Sequence, residues 1–311
     1  MDYRPEGCLY RTAENQRYIS TADGLREAMK RGIILEARAA VCNGAHDLIV
    51  ELPCGEGIIP HDEGAVGVRE GKTRDIAIIS RVNKIVCFKV TDVTVGDDGH
   101  VCAFLSRAAA QEDYIRGCMS RLSAGDIIDA KVTHLEQFGC FVDIGCGVPS
   151  LIPIDSISVS RISHPSDRFR AGQLIKAVVR SRDGERICLT HKELLGTWTE
   201  NTACFQAGET VSGVVRSVED YGIFVELSPN LAGLAELRGG VSAGENVSVY
   251  IKAIIPEKMK IKLVIVDVCE ECNSEKELKY YIESGHISEW NYAPAASGRK
   301  IITCFDGFSE T

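Results

Sequence analysis

The 311-residue sequence contains an internal repeat, and this repeat restricts the possible folds more than any other feature of the chain. Residues 137–144 align with residues 220–227 at a shift of 83 positions and without a gap. A weaker third copy precedes these two, and in it residues 57–60 mirror residues 150–153. A chain that repeats itself in this way is built from consecutive copies of one structural unit, so we expect three similar units.

Each unit is predicted to consist of short strands separated by glycine-containing turns. In the second unit, Asp183-Gly184 lies between two apolar runs and predicts a tight hairpin turn. The predicted strands of this unit are residues 127–133, 140–144, 175–181 and 186–190. Short strands at this spacing are typical of a small β-barrel. Helices are predicted mainly at the two ends of the chain, over residues 22–31 and 275–283, each between a hydroxyl cap and a glycine.

Composition narrows the class of protein further. Hydrophobic residues make up 45% and charged residues 25% of the chain, and no run of 18 apolar residues occurs, which excludes a membrane span, a coiled coil and a disordered chain. The first 18 residues lack the apolar segment of a secretory signal. The 13 cysteines are odd in number and lie mostly in apolar runs, so we expect reduced thiols and a cytoplasmic location.

The charge of the chain restricts how it could hold a nucleic acid. With a net charge of −9 and a pI near 5.4, the chain has no global positive field. An RNA partner would therefore have to be held by local basic clusters together with base stacking.

Three motifs of the second unit resemble a known family. They are Phe-Gly-x-Phe-Val-Asp-x-Gly at residues 138–145, Gly-Gln-x-Ile at 172–175 and Arg-Ile-x-Leu-Thr-x-Lys at 186–192. Together they resemble the RNA-binding OB-fold family named after ribosomal protein S-one. The resemblance covers residues 125–194 well, 208–268 moderately and 32–107 weakly, and the Trp198 linker is similar to those that join tandem S-one domains.

The resemblance implies an all-β dominated fold with three tandem five-stranded OB barrels, the first of them degenerate, and short flanking helices. The predicted domains are an N-terminal helical lead (1–31), a degenerate S-one-like barrel (32–120), an S-one RNA-binding barrel (121–200), a second S-one barrel (201–268) and a C-terminal helical cap or tail (269–311).

Two aromatic pairs are the candidate base-stacking residues. Phe138 with Phe141, and Tyr221 with Phe224, match the aromatic platform of the family, and a stacked base contributes about 1–3 kcal/mol. The alternative is that Phe141 and Phe224 lie in the barrel core, because residues three apart on a strand point to opposite faces unless the intervening glycine bends the chain. The first unit has His46 in place of the first aromatic and Ile49 in place of the second, so we expect no stacking there.

Basic residues near the aromatics are the candidate phosphate contacts. Arg180 and Arg182 share a strand face, and the Asp183-Gly184 turn returns Arg186 beside them, so three guanidiniums could follow an RNA backbone. The alternative is a solvated charged edge that prevents strand pairing. The same two interpretations apply to the lysines of the third unit. The further basic candidates are Lys131, Lys258, Lys260 and Lys262.

Two features weaken the resemblance. The family carries a histidine just after the third strand, whereas the matching positions here are Pro60, Pro153 and Glu236. The first unit also has an additional segment, residues 63–84, which we interpret as a longer strand connection, with a protein-docking element as the alternative.

Motifs for catalysis or metal binding are weak. No phosphate-cradling glycine loop, His-Glu-x-x-His helix or nucleophile elbow occurs, so we expect no enzyme, no cofactor and no small-molecule substrate. Cys269 and Cys272 have a metal-like spacing, with His286 and Cys304 as possible further ligands, but a second paired motif is missing. We therefore predict no zinc in the tail.

The sequence favours a non-catalytic protein that binds single-stranded RNA, specifically mRNA, and acts in translation. The resemblance suggests the small ribosomal subunit as a partner, and no membrane is expected. The alternative is a protein-interaction scaffold, or an accessory subunit of an RNA-processing complex, whose barrels no longer bind RNA strongly. The missing histidine, the net charge and the weak first unit support this alternative.

Overall fold

Two helices lead into the first barrel. The computed structural model describes residues 3–184, 186–269 and 278–305. Helix α1 spans Ala13–Ile19, and helix α2 spans Ala22–Arg31, as predicted. The Thr21 hydroxyl accepts a hydrogen bond from the Gly24 amide at the start of α2, and Gly32 ends the helix with φ of +63°, a conformation that favours glycine.

The first barrel is as complete as the other two in strand number. Its strands are β1 (Leu35–Cys42), β2 (Leu48–Leu52), β3 (Gly55–Ile59), β4 (Ile85–Val95) and β5 (Val101–Ser106). They close in the order β1-β2-β3-β5-β4, with β3 and β5 running parallel. Leu48, Val50 and Leu52 alternate along β2 into the core, whereas Ile49 is half-buried on the outer face. The additional segment between β3 and β4 contains a 3-10 turn (His61–Glu63) and one short α-helix, α3 (Ile76–Ile79).

The second barrel follows helix α4 (Arg107–Gly117). Its strands are β6 (Ile127–Glu136), β7 (Gly139–Asp143), β8 (Pro149–Pro153), β9 (Leu174–Asp183) and β10 (Arg186–Thr190). Three of the four predicted strands lie within β6, β9 and β10, and the fourth, 140–144, extends one residue beyond β7. The same cyclic strand order closes the barrel. The hairpin turn between β9 and β10 forms where Asp183-Gly184 predicts it, with φ of +58° at Gly184.

The third barrel has the same topology. After helix α5 (Trp198–Thr202), its strands are β11 (Thr210–Glu219), β12 (Gly222–Ser228), β13 (Leu231–Ala235), β14 (Asn246–Ile255) and β15 (Lys260–Cys269). The barrel closes through the parallel pair of β13 and β15. The predicted fold class of three five-stranded barrels with a few short helices is thus confirmed.

The C-terminal segment differs from the prediction. The start of the predicted helix 275–283 lies outside the described residues, and residues 278–283 are not helical. The segment instead forms a small sheet of β16 (Glu289–Asn291) and β17 (Ile302–Cys304). Trp290 and Tyr292, which follow the predicted helix in sequence, pack in the same hydrophobic cluster as the core of the third barrel.

The described chain divides into two compact units. The first contains the residues up to 122 together with 129–131 and 143–149, and the second contains the remaining described residues. The second unit therefore includes most of the second barrel, the third barrel and the C-terminal sheet. The longest helix in the described residues, α4, has 11 residues. No helix in this part of the chain is long and apolar enough to cross a bilayer.

Candidate nucleic-acid interface

The aromatic pair of the second barrel lies on the outer surface. Phe138 precedes β7 and is 56% exposed, and Phe141 is half-buried. Their rings meet edge to face with centroids 5.8 Å apart. Cys140 and Val142 fill the core on either side of Phe141, so the alternative of a core position for Phe141 does not hold.

Gly139 makes this arrangement possible. A Cβ atom at this position would lie 2.5 Å from the Ile152 carbonyl oxygen and 3.2 Å from Pro153 Cα. Such contacts are closer than backbone atoms tolerate, so only glycine lets β7 approach β8 here. The close approach places Phe138 beside the end of β8, where its carbonyl accepts a hydrogen bond from the Ile154 amide at 3.0 Å.

The third barrel carries a matching pair. Tyr221 is 70% exposed and Phe224 is half-buried, with ring centroids 6.1 Å apart and an interplanar angle of 88°. Strand register extends this surface, because Phe224 pairs with Leu234 on β13, and Leu234 pairs with Lys262 on β15. Directly paired residues point to the same face of a sheet, so an aromatic, an aliphatic and a cationic side chain form one row.

The corresponding row of the second barrel ends differently. Leu151 on β8 pairs with Cys188 on β10, so Cys188 takes the place of Lys262. Cys188 is half-buried, and burial raises the pKa of its thiol above the usual range. A neutral thiol offers no charge to a phosphate, so cationic contacts on this barrel must come from the neighbouring arginines.

The three candidate arginines lie in one hairpin but have different partners. Arg180 donates from Nη1 to Ser156 Oγ at 2.9 Å, and Arg182 donates from Nε to the Gly184 carbonyl at 2.8 Å. Arg186 pairs across the hairpin with Asp183, whereas Arg182 pairs with Ile187. Neighbouring cross-strand pairs face opposite sides of a hairpin, so the register does not place Arg186 on the same side as Arg182.

The candidate lysines also divide into two groups. Lys260 and Lys262 are exposed and alternate with the buried Ile261 and Leu263 on β15. Lys258 is exposed in the 3-10 turn before this strand, so it does not take part in the alternation. Lys131 is half-buried, and its Nζ donates to the Glu6 carbonyl at 2.7 Å, a long-range contact that no local pattern indicates.

Asp143, the aspartate of the Phe-Gly-x-Phe-Val-Asp motif, is a structural residue. Its carboxylate is buried and accepts hydrogen bonds from the backbone amides of Glu6, Gly145 and Gly147 at 2.7–2.9 Å. Burial raises its pKa to about 6. This side chain therefore holds backbone segments together and does not face an RNA.

The first barrel has an aliphatic outer face in the equivalent place. Val41, Ile49, Ile58 and Phe104 form one row through the pairings of β1, β2, β3 and β5. Val41 is 51% exposed and Phe104 is 40% exposed. Sequence analysis identified Ile49 in this row but missed Phe104, because only the parallel closure of the barrel brings β5 beside β3.

Two histidines and an aspartate lie close together on the first barrel. Among the residues that the structure describes, His46, His61 and Asp75 are the only group of three or more potential metal ligands within 4.8 Å of one another. Among the described residues, Cys269, His286 and Cys304 of the tail do not form such a group. His286 pairs with Asp126 at 2.8 Å, Cys269 contacts Ser248, and Cys272 lies outside the described residues.

Comparison with known proteins shows which family the second barrel resembles. Residues 121–192 match the family model of the S1 RNA binding domain. The chain is 35% identical over 161 residues to the small ribosomal subunit protein bS1 of Staphylococcus aureus (strain COL), covering 47% of this chain and 41% of that protein. It is 34% identical over 156 residues to the bS1 homolog of Bacillus subtilis (strain 168), covering 49% and 40% respectively.

Among solved structures, the chain is similar to a multidomain protein with nucleic acid binding domains from Streptococcus pneumoniae TIGR4. The similarity covers 75% of this chain and 73% of that protein's chain, with 11% identity and a TM-score of 0.25. The chain spans about two fifths of the length of the curated relatives that it matches. The S-one resemblance predicted from the motifs of the second repeat is confirmed, because residues 121–192 match the S1 RNA binding domain.

Proposed function

We propose that this chain binds single-stranded RNA, and mRNA in particular, on the outer faces of its second and third barrels, without catalysing a reaction. The observation that carries the proposal is the recurrence of an exposed aromatic pair at the same place on two barrels. Exposed rings such as Phe138 and Tyr221 contribute little to folding, because most of their surface stays in water. They do provide flat surfaces on which unpaired bases can stack.

The row on the third barrel provides the second element of an RNA site. Phe224 and Lys262 are two strand spacings apart, about 10 Å between their backbones. A base stacked on the Tyr221 and Phe224 rings would place its phosphate within reach of the long Lys262 side chain. On the second barrel, Arg186 lies two residues before Cys188 on β10 and therefore points to the side of the row, so Arg186 has the same role in this proposal.

The overall charge agrees with local recognition. Because the net charge is −9, long-range attraction cannot provide the affinity, and stacking together with a few cationic contacts must do so. Relatives that are small ribosomal subunit proteins support a role in translation, on the small ribosomal subunit and in the cytoplasm. This role is part of the proposal.

The scaffold interpretation applies best to the first barrel. Its row of Val41, Ile49, Ile58 and Phe104 offers an aliphatic face with one ring, which suits a protein surface better than a base. The two functions are compatible, because they use different barrels.

The test is a titration of an unstructured, fluorescently labelled oligoribonucleotide, with anisotropy measured at several salt concentrations. Phe138→Ala and Tyr221→Ala should each weaken binding by about 1–3 kcal/mol, or roughly 5- to 150-fold, with an unchanged salt dependence. Lys262→Ala should instead lower the slope of log K against log salt by about 0.7, the value for one single-strand phosphate contact.

Phe104→Ala is the matched control, because it removes an exposed ring from the barrel on which we expect no stacking. Its affinity should equal that of the wild type. Equal losses in Phe104→Ala and Phe138→Ala would contradict the assignment of the surface. Wild-type affinity no greater than that of an unrelated acidic protein would reject RNA binding and leave the scaffold function. Thermal melting of each variant shows that the fold is intact.

A further inference from the structure

The first barrel gathers three metal-ligating side chains that are far apart in sequence. His46 lies in the turn between β1 and β2, His61 follows β3, and Asp75 precedes α3. His61 Nε2 is 2.8 Å from Asp75 Oδ1, and His46 Nδ1 is 3.4 Å from Asp75 Oδ2. The two imidazole rings have centroids 5.8 Å apart. Each carboxylate oxygen of Asp75 therefore faces one imidazole.

The carboxylate of Asp75 is not used by its own helix. Asp75 occupies the N-cap position of α3, where an aspartate normally accepts a hydrogen bond from the backbone of the first turn, but no such bond is present. Its carboxylate faces His46 and His61 instead. All three side chains are partly exposed, from 37% for His61 to 51% for Asp75, so an ion from solvent can reach them.

The donor set and spacing fit a divalent transition metal. Zinc binds imidazole nitrogen and carboxylate oxygen at about 2.0–2.2 Å, so tetrahedral donors lie about 3.3 Å apart. The two distances to Asp75 bracket this value, and the three ligand atoms lie within 4.8 Å of one another. Two histidines and one carboxylate leave at least one coordination position for water or another ligand.

We propose that His46, His61 and Asp75 bind one divalent transition-metal ion, with zinc as the preferred metal for this donor set. The site lies on the first barrel, and His46 occupies the sequence position of Phe138 on the second. The first barrel would thus carry a metal where the second carries an exposed ring. This inference is independent of RNA binding, because it uses only residues of the first compact unit.

The test is a titration of the full-length, reduced and metal-free protein with Co²⁺, followed by absorption, and with Zn²⁺, followed by calorimetry. One ion per chain should bind, and the Co²⁺ complex should show visible d–d bands without a thiolate charge-transfer band. Asp75→Asn and His46→Asn should each weaken binding at least about tenfold, because each removes a ligand. Asparagine suits position 46, since it tolerates the left-handed backbone seen there at φ of +66°.

His134→Asn is the matched control. His134 is an exposed histidine paired with Glu136 at 2.7 Å, but it has no second histidine nearby among its described partners. Its variant should bind the metal as the wild type does. Absence of saturable one-to-one binding, or an equal loss in His134→Asn and His46→Asn, would overturn the site. A thiolate band that disappears in Cys269→Ser would place the metal in the tail and also overturn it.

Discussion

Acidification should destabilise the second compact unit, which contains most of the second barrel and the third barrel, through one buried histidine. His191 follows β10 and has no exposed surface. Its Nδ1–H donates to the Ile157 carbonyl at 2.9 Å, and its Nε2 accepts from the Tyr280 hydroxyl at 3.2 Å, which is the pattern of a neutral imidazole. The ring also packs edge to face against Phe169, with centroids 4.9 Å apart. Burial lowers the pKa of His191 from 6.5 to about 4.

The sign and size of the effect follow from linkage. Because the pKa is lower in the folded state, the unfolded chain binds more protons between pH 6.5 and about 4. The contribution of neutral His191 to stability is therefore complete above pH 6.5 and is lost as the pH falls. The pKa of His191 differs by about 2.5 units between the two states. At 1.36 kcal/mol per unit, this difference lowers the free energy of unfolding by about 3 kcal/mol between pH 6.5 and pH 4.

Urea unfolding of the wild type and of His191→Gln, measured from pH 7.5 to 4 by tryptophan fluorescence, checks this prediction. The two tryptophans, Trp198 and Trp290, are buried in the second unit and report its unfolding. Glutamine can still donate to the Ile157 carbonyl but does not titrate. The variant should be less stable at pH 7.5, and its disadvantage should shrink by about 3 kcal/mol towards pH 4. Parallel pH profiles of the two proteins would refute the reasoning, because all other titrating groups are shared.

Two further predictions concern packing. Asn230 has no exposed surface, accepts from the Val159 amide, and donates to the carbonyls of Lys192 and Gly196 at 2.7–2.9 Å. Asn230→Ala leaves these buried groups unpaired, so it should lower the free energy of unfolding by about 3 kcal/mol or more. Urea titrations measure this loss, and a loss below about 1 kcal/mol would contradict the importance of these hydrogen bonds. Gly139→Ala should lower the melting temperature and weaken RNA binding because its Cβ meets the β8 backbone. Gly239→Ala, which has open space around it, should leave both unchanged.

The repeat and the local strand patterns predict the fold well because both are local properties of the sequence. The alternation of buried and outward residues gives the strands, and Asp183-Gly184 gives the hairpin turn where it is found. The shift of 83 positions aligns Phe141 with Phe224 and Leu151 with Leu234, and both leucines pair with the closing strand of their barrel. The aromatic part of the candidate site could thus be derived before any coordinates.

The rest depends on contacts that no local pattern encodes. The parallel closure of each barrel places Phe104 beside Ile58 and Lys262 beside Leu234, and neither neighbour follows from sequence spacing. Lys131 resembles a surface cation in sequence, yet it donates to the Glu6 carbonyl, 125 positions away. At the C-terminus, the pairing of β16 with β17 joins residues 289–291 to residues 302–304, and no local pattern in the sequence indicates this pairing.

The three barrels show how one fold acquires different surfaces. Their cores obey the same alternation and their strands close in the same order, so inward side chains are constrained by packing. Outward side chains contribute little to stability, so Lys262, Cys188 and Phe104, which take the same place on the closing strands, can differ in chemistry on the same scaffold. Exposed positions are therefore the ones at which a substitution should change ligand binding while leaving the melting temperature intact. For this reason Phe138 and Tyr221, rather than the half-buried rings beside them, distinguish a binding surface from a packing contact.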